Sequence, residues 1–447
     1  MNERVRIWQE IPWRSPLEAF APFAGEPGAH LLHGGEKARG GWSILAAFPA
    51  ARLTLTETSP QAWLQELDGM LADRRCCPDA PGPFASGVIG YVGYEALSAL
   101  EPSLQLPLSP HLLPAAHFDF YDAAIVFDRR QQRTYVSARN ENAKERLMAA
   151  LQASLKDEKQ NPEFHSLSSN FTRSSYENAV WELIERIRAG AFFQTNLSHS
   201  LTALTDQSFS GFSLYKRLAE VSDAQFSAFL QYTEGDIISN SPERFFQISQ
   251  DGVILTEPIK GTRPRSAEAE EDMRLAEELS VDEKERAENI MIADLMRNDL
   301  SKICEDDTIS EDAICELVTF SRVHHLVSRI SGKLKQGCAI SNIFAALFPS
   351  GSITGAPKIE AMSAISDMEK RGRGPYCGAI GYIDDNGCAD FSVAIRTLIT
   401  NAARTQITAP VGGGVTLRSN PSSEYNETLV KAAAACSALG LTPEGLQ

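Results

Sequence analysis

Apolar positions along the chain fall mostly into short runs of strand type, with fewer stretches of helical spacing. Arg52–Thr56 alternates apolar and polar residues, as a half-buried strand does. Trp42–Phe48, Gly87–Tyr94, Phe118–Arg129, Thr134–Ala138, Phe192–Ser200 and Phe226–Tyr232 are apolar runs that predict more deeply buried strands. Ile237–Ser239 and Phe245–Ser249 predict two more, joined through Ser241-Pro242-Glu243-Arg244, and Val318–Leu334, Gly378–Asp384 and Ser392–Thr400 a further three. Helical spacing appears in Gln61–Ala72, Asn140–Leu155, Tyr176–Ala189, Ser266–Leu300, Ser341–Phe348 and Pro421–Leu439. Strands outnumber strand–helix–strand units, which predicts antiparallel sheets with helices outside them. Between residues 156 and 170 the chain turns polar, carries a proline and loses periodicity, so it reads as a linker between a region 1–155 and a region 171–447.

Composition narrows the function. With 43% hydrophobic and 22% charged residues, the 447-residue chain has the make-up of an ordinary globular protein. A net charge of −16 argues against nucleic-acid and anionic-membrane partners, since no basic field draws phosphates in. The eight cysteines form no CxxC pair, and at this dilution they read as reduced thiols. The N-terminus has no apolar core of a signal peptide, and no apolar run approaches membrane-spanning length. A cytoplasmic location is the expectation.

Several stretches could carry chemistry. TEPIKGTRPR, Thr256–Arg265, sets Lys260 between Pro258 and Gly261, so the backbone is expected to form a shaped bend. Such a bend can aim the amine into a cleft, although the stretch alone reads first as a solvated lysine on a surface loop. Glu285 and Glu288 are three apart on a predicted helix and share a face; Glu424 and Glu427 repeat the spacing on the last helix. Carboxylates from two helices are the hard oxygen ligands that Mg²⁺ takes. Each pair alone also reads as a solvated face, with Lys284 and Arg286 flanking Glu285, and with acidic residues at a helix start complementing its dipole. Glu243, in the turn between two strands, is placed for general acid–base work or for plain solvation. GSITGAPK, Gly351–Lys358, lacks the GxxxxGK[ST] spacing of a phosphate loop, and GVIGYVGY is not a dinucleotide fingerprint. His30 and His33 show no zinc spacing and read as surface residues.

Taken in order, FFQTNLSHS, SNSPERFF, EPIKGTRPR, KERAENIMIADLMRNDL, VHHLVS, PSGSITGAPK, GAIGYI, AIRT, GGGV and EYNETLVKA resemble the motifs of the chorismate-using enzymes, from about Thr172 to Gly440. That family includes the large components of anthranilate synthase and aminodeoxychorismate synthase. LLHGG, GGWSILAAFP and GYVGYE resemble the N-terminal region of those two members. The resemblance implies an α+β fold with a large antiparallel β-sandwich core flanked by helices, and a Mg²⁺-dependent reaction on chorismate. It implies that Glu288 and Glu427 hold Mg²⁺, with Glu285 and Glu424 close by. It implies a substrate site lined by Gly261, Thr262, Tyr382, Arg396, Gly412, Gly414 and Lys431, in which Arg396 suits bidentate capture of a carboxylate. Glu243 matches the family's general acid, and His325, not His324, its histidine near the ring.

Two positions choose among family members. Gln194 stands where isochorismate and salicylate synthases carry a lysine base for water. Lys260 stands where anthranilate synthases carry alanine, and it is the signature of aminodeoxychorismate synthase component I. The implied route is covalent: the Lys260 amine attacks C2 of the ring as the C4 hydroxyl leaves, then ammonia adds at C4 and expels the lysine. A lysine nucleophile must be neutral, so burial or nearby cations are expected to lower its pKa. The chain carries no glutaminase motif and ends without a fused lyase region, so a glutamine amidotransferase subunit is the expected ammonia source. The alternative is anthranilate synthase component I, aminating C2. Tryptophan binding by the N-terminal region stays open, because His33–Ser43 departs from the usual pattern there.

Overall fold

A computed structural model describes residues 7–34, 41–55, 60–76, 80–99, 101, 104, 106–153, 163–222, 224–320 and 322–443. Two antiparallel sheets lie face to face, one of twelve strands and one of ten among the described residues. Between them sits a layer of side chains from both, including Leu32, Ile44, Ile89, Tyr91, Leu230, Tyr232, Ile380 and Tyr382. Helices cover the two outer faces through separate apolar clusters. This is the expected sandwich flanked by helices.

Each sheet draws strands from both sides of the expected linker. In the larger one, His30–His33 pairs with Phe226–Tyr232; in the smaller, Gly87–Val92 pairs with Ala379–Asp384. Of the linker itself, residues 156–162 lie outside the described residues, as does the end of the helix expected over Asn140–Leu155, observed as Glu141–Leu151. Ser166–Ser169 is a short strand on Gln194–Leu204.

Several expected elements are divided. Phe118–Arg129 is two strands, Ala116–Tyr121 in the smaller sheet and Ala123–Asp128 in the larger. Ser392–Thr400 divides in the same way into Ala389–Val393 and Thr397–Thr400, and the chain crosses between sheets at Arg396, whose φ is +53°. The helix expected over Ser266–Leu300 is two, Ala269–Val281 and Glu283–Ser301. Asp282 is extended there, and its carboxylate caps the second helix by accepting the N–H groups of Lys284 and Glu285. Val318–Leu334 is the strand Val323–Lys333 and the end of its neighbour Ser310–Thr319.

The TEPIKGTRPR stretch is sheet, not an exposed loop. Val253–Glu257 and Ile259–Pro264 lie in one register along Val323–Lys333, interrupted at Pro258 (Thr256 opposite Ile330, Ile259 opposite Val327). The register then slips between Lys260 and Thr262. Gly261 supplies the extra residue at φ +75°, which is how a glycine bulge bends a strand and re-aims its side chains. Only glycine fits: a Cβ there would lie 2.8 Å from Leu279 Cδ1 and 3.2 Å from Glu285 Cβ.

His30 is not a surface residue. It is fully buried, with Nε2 3.0 Å from Asp119 Oδ2, while His117 holds the other oxygen of that carboxylate at 3.1 Å. His33 is half-buried, 2.8 Å from the Ser43 hydroxyl. No helix among the described residues is long and apolar enough to cross a membrane, and their cysteines are all free thiols.

Candidate active site

At one end of the sandwich five elements meet: the bulged Lys260 strand, the strands Gln194–Leu204 and Gln406–Thr416, and the helices Glu283–Ser301 and Pro421–Leu439. The first helix is fixed by Asn289, whose Nδ2 donates to Leu326 O at 3.0 Å, on the residue opposite Lys260. The second starts at Asn420, whose side chain accepts the Ser423 N–H, with Pro421 in its first turn. These anchors bring Glu285 and Glu288 on one side, and Glu424 and Glu427 on the other, to the same cleft.

Lys260 is half-buried, and its Nζ donates to Ser352 O at 3.3 Å. A Cβ on Gly414 would lie 3.6 Å from that Nζ and 2.9 Å from Gln194 Nε2, so the missing side chain leaves room beside the amine. Glu243 and Glu427 both feel the Lys260 charge. Glu243 is 4% exposed, and burial pushes its pKa up to about 7, against a hydrogen bond from Ser352 and the attraction of Lys260. Its Oε1 has no hydrogen-bond partner. It is therefore a carboxylic acid able to hold its proton near neutrality.

His325 is buried, and burial lowers its pKa to about 4, so its imidazole is neutral. Its Nδ1 lies 3.2 Å from Gly261 O and 3.0 Å from Thr262 Oγ1. Because a carbonyl only accepts, Nδ1 carries the hydrogen and Nε2 keeps its lone pair. Lys431 donates to Gly412 O at 3.0 Å and pairs with Glu427 at 2.6 Å. Arg396 is open to solvent at the sheet crossing yet sunk far enough that desolvation lowers its pKa, against the fields of Tyr376 and Glu427.

Burial raises the pKa of both Glu285 and Glu424, and the repulsion of Glu288 and of Glu427 respectively adds to it. Burial opposes the charge on Lys284, but Glu288, Glu424, Glu285 and Glu427 together outweigh it and raise its pKa. Lys284 thus sits in the field of all four carboxylates, 3.8 Å from Glu288 Oε1. That oxygen is buried and has no hydrogen-bond partner, as a cation ligand would be. The donor set fits Mg²⁺ in kind. Among the described residues no three acidic, histidine or cysteine side chains are gathered closely enough to cage a metal ion.

All the expected site residues but one converge here. Tyr382 lies in the layer between the sheets, its ring edge-on to Phe84 with centroids 5.5 Å apart. The tyrosine beside Arg396 is Tyr376, in the same GPYCGAIGY stretch. Sequence reasoning also missed Ser352, which contacts both Lys260 and Glu243 from inside the stretch dismissed as a phosphate loop. Lys358 of that stretch instead holds Asp299 Oδ2 at 2.9 Å.

A stability test follows from Glu243. Between the ordinary carboxylate value of 4.5 and its raised value of about 7, the folded protein keeps a proton that the unfolded chain releases. Stability from this group is therefore complete below the lower value and lost as pH rises to the upper one. Glu243→Gln is expected to gain about 3 kcal/mol relative to wild type on going from pH 4 to pH 8, read by urea unfolding at both.

Residues 31–437 match the family model of the chorismate binding enzymes, and the chain belongs to that family. It is 37% identical to anthranilate synthase component 1 of Saccharolobus solfataricus, over 84% of this chain and 85% of that one. It is 33% identical to aminodeoxychorismate synthase component 1 of Salmonella typhimurium, over 94% and 95%. Anthranilate synthase component I of Streptococcus pneumoniae shares the fold at a TM-score of 0.77 and 28% identity, over 89% of this chain and 92% of that one.

Proposed function

We propose that this enzyme aminates chorismate at C4, giving 4-amino-4-deoxychorismate for the route to p-aminobenzoate and folate, with ammonia supplied by a glutamine amidotransferase subunit. One observation carries the reading: a lysine amine, that of Lys260, opens onto the space above Gly414 beside a buried acid whose pKa is about 7. The Lys260 Nζ forms a bond to C2 while the C4–O bond breaks, and Glu243 supplies the proton with which the hydroxyl leaves as water. Both ring double bonds shift, from C1=C2 and C5=C6 to C1=C6 and C4=C5. Ammonia then bonds to C4, the double bonds return, and the lysine leaves C2 with the proton that ammonia gives up. Splitting one substitution into two lowers each barrier.

Glu288 and Glu427 would hold Mg²⁺, with Glu285 and Glu424 behind them, and the bound ion would neutralise the ring carboxylate of chorismate. Arg396 pairs with the side-chain carboxylate through its two-pronged guanidinium. Neutral His325 presents the Nε2 lone pair to the ring's side of the cleft, and Lys431 adds positive charge at Gly412. Gly261, Thr262, Gly412 and Gly414 shape the floor.

The second reading, amination at C2 as in anthranilate synthase, is favoured by the identity to the Saccharolobus protein. Product analysis separates the two. With chorismate, Mg²⁺ and an ammonium salt at alkaline pH, the purified chain is expected to give 4-amino-4-deoxychorismate; anthranilate as the product would overturn the reading. Glutamine in place of ammonium should support turnover only when the amidotransferase subunit is added.

A further inference from the structure

We infer that Arg373, braced by Glu369 and by Tyr94 and Glu95 of the N-terminal region, is a positioning residue that holds the Ser352 loop against Lys260 and Glu243. The inference rests on the proposed roles of those two groups. It assigns a task to GYVGYE, a motif that nothing in the site itself uses.

The guanidinium is 4% exposed and lies beneath the cleft. Its Nη1 donates to Ile353 O at 3.2 Å and its Nη2 to Asn196 O at 3.1 Å. One rigid fork thus ties the residue after Ser352 to the strand that carries Gln194. Ser352 is where both reactive groups touch that loop: its carbonyl accepts from Lys260 Nζ, and its side chain donates to Glu243. The fork is held in turn. Glu369 accepts from Nε at 2.9 Å and Nη2 at 2.7 Å, and its Oε1 also accepts from the Ser198 amide and hydroxyl, each at 2.8 Å. Above it the Tyr94 ring stacks on the cation, with the guanidinium carbon 4.7 Å from the ring centroid. Glu95 accepts the Gly374 N–H at 2.9 Å and the N–H of Arg373 itself.

A buried ion pair contributes little net stability against an apolar replacement, because desolvation offsets attraction. Orientation is what a forked, five-donor cation adds and what a lysine cannot supply. The loop's position matters because the groups facing Glu243 are few: the Lys260 charge, the Ser352 side chain and the Ile259 N–H.

The test is Arg373→Lys, which keeps the charge and loses the fork. Its kcat with ammonia is expected to fall about tenfold to a hundredfold while the chorismate KM holds. At constant free NH₃ the alkaline limb of kcat/KM should move up by about half a unit or more, because Glu243 loses a hydrogen bond that lowers its pKa. Ser352→Ala should show the same displacement, and the double variant no more than either. A folded Arg373→Lys protein with the wild-type limb overturns the inference, whether kcat is unchanged or falls only with the fraction of active protein. If Arg373→Lys does not fold, Tyr94→Leu is read by the same criteria. Glu243→Gln separates the two levels: if it keeps the wild-type limb, the proposed acid is wrong and the inference falls with it. If it loses the limb while Arg373→Lys retains it, the inference fails alone.

Discussion

Lys260→Ala is expected to lose C4 amination by several orders of magnitude, as enzymes do when a covalent nucleophile is removed. Wild-type protein given chorismate and Mg²⁺ without ammonia should accumulate an adduct in the peptide containing Thr256–Arg265, located by mass spectrometry. The decisive comparison is Lys260→Arg. If the lysine only attracts chorismate, arginine preserves the charge, near wild-type turnover survives and no adduct forms. If it is the nucleophile, Lys260→Arg is dead, because a guanidinium stays protonated at any working pH. Gly414 sharpens the contrast, since the space that its missing side chain leaves beside Nζ is where the ring must come to be attacked. Residual C2-directed product in Lys260→Ala would be consistent with the same cleft, because that change recreates the anthranilate-type motif.

The second large effect is on metal. Glu288→Gln and Glu427→Gln should each abolish turnover at ordinary Mg²⁺ concentrations while leaving the fold intact. Each removes one charge from a divalent site whose counter-charges come from two helices. Isothermal titration with Mg²⁺ in the presence of chorismate should lose its binding signal in both variants. Normal turnover in both would remove these residues from the metal site. Lys284 bears on that binding: with its ammonium in the field of the four carboxylates, an entering cation would have to displace or tolerate a charge already there.

How far the sequence was legible varies with the range of the signal. The last helix was expected over Pro421–Leu439 and runs there, because both ends are local devices: Asn420 and Pro421 at the start, and Gly440 at φ +71° after the end. The acidic pairs lie on the helices where their spacing put them, whereas Lys260, read on a bend, lies on a bulged strand. What failed is information that one strand does not carry. An apolar run cannot say which sheet it belongs to, so the crossings at Asp122 and Arg396 were hidden inside runs that read as single strands. Motif matching does not say which face of Ala379–Asp384 a side chain takes: Tyr382 lies in the layer between the sheets, while the tyrosine whose field reaches Arg396 is Tyr376. His30 looked exposed because its partner, Asp119, is far along the chain. Ser352 was not singled out because a serine inside PSGSITGAPK carries no spacing signal that points to Lys260 or Glu243.

The interleaving of the two sheets bears on how the protein is made. Gly87–Val92 emerges early in synthesis, yet its neighbour Ala379–Asp384 comes near the end, and His30–His33 waits likewise for Phe226–Tyr232. Neither sheet can close on a partial chain, and such non-local pairing makes for slow folding with strand edges exposed meanwhile. A fragment cut between residues 155 and 171 would leave open edges on both halves, so co-expressed halves should recover activity only by complementing each other during assembly, not as two ready-made modules.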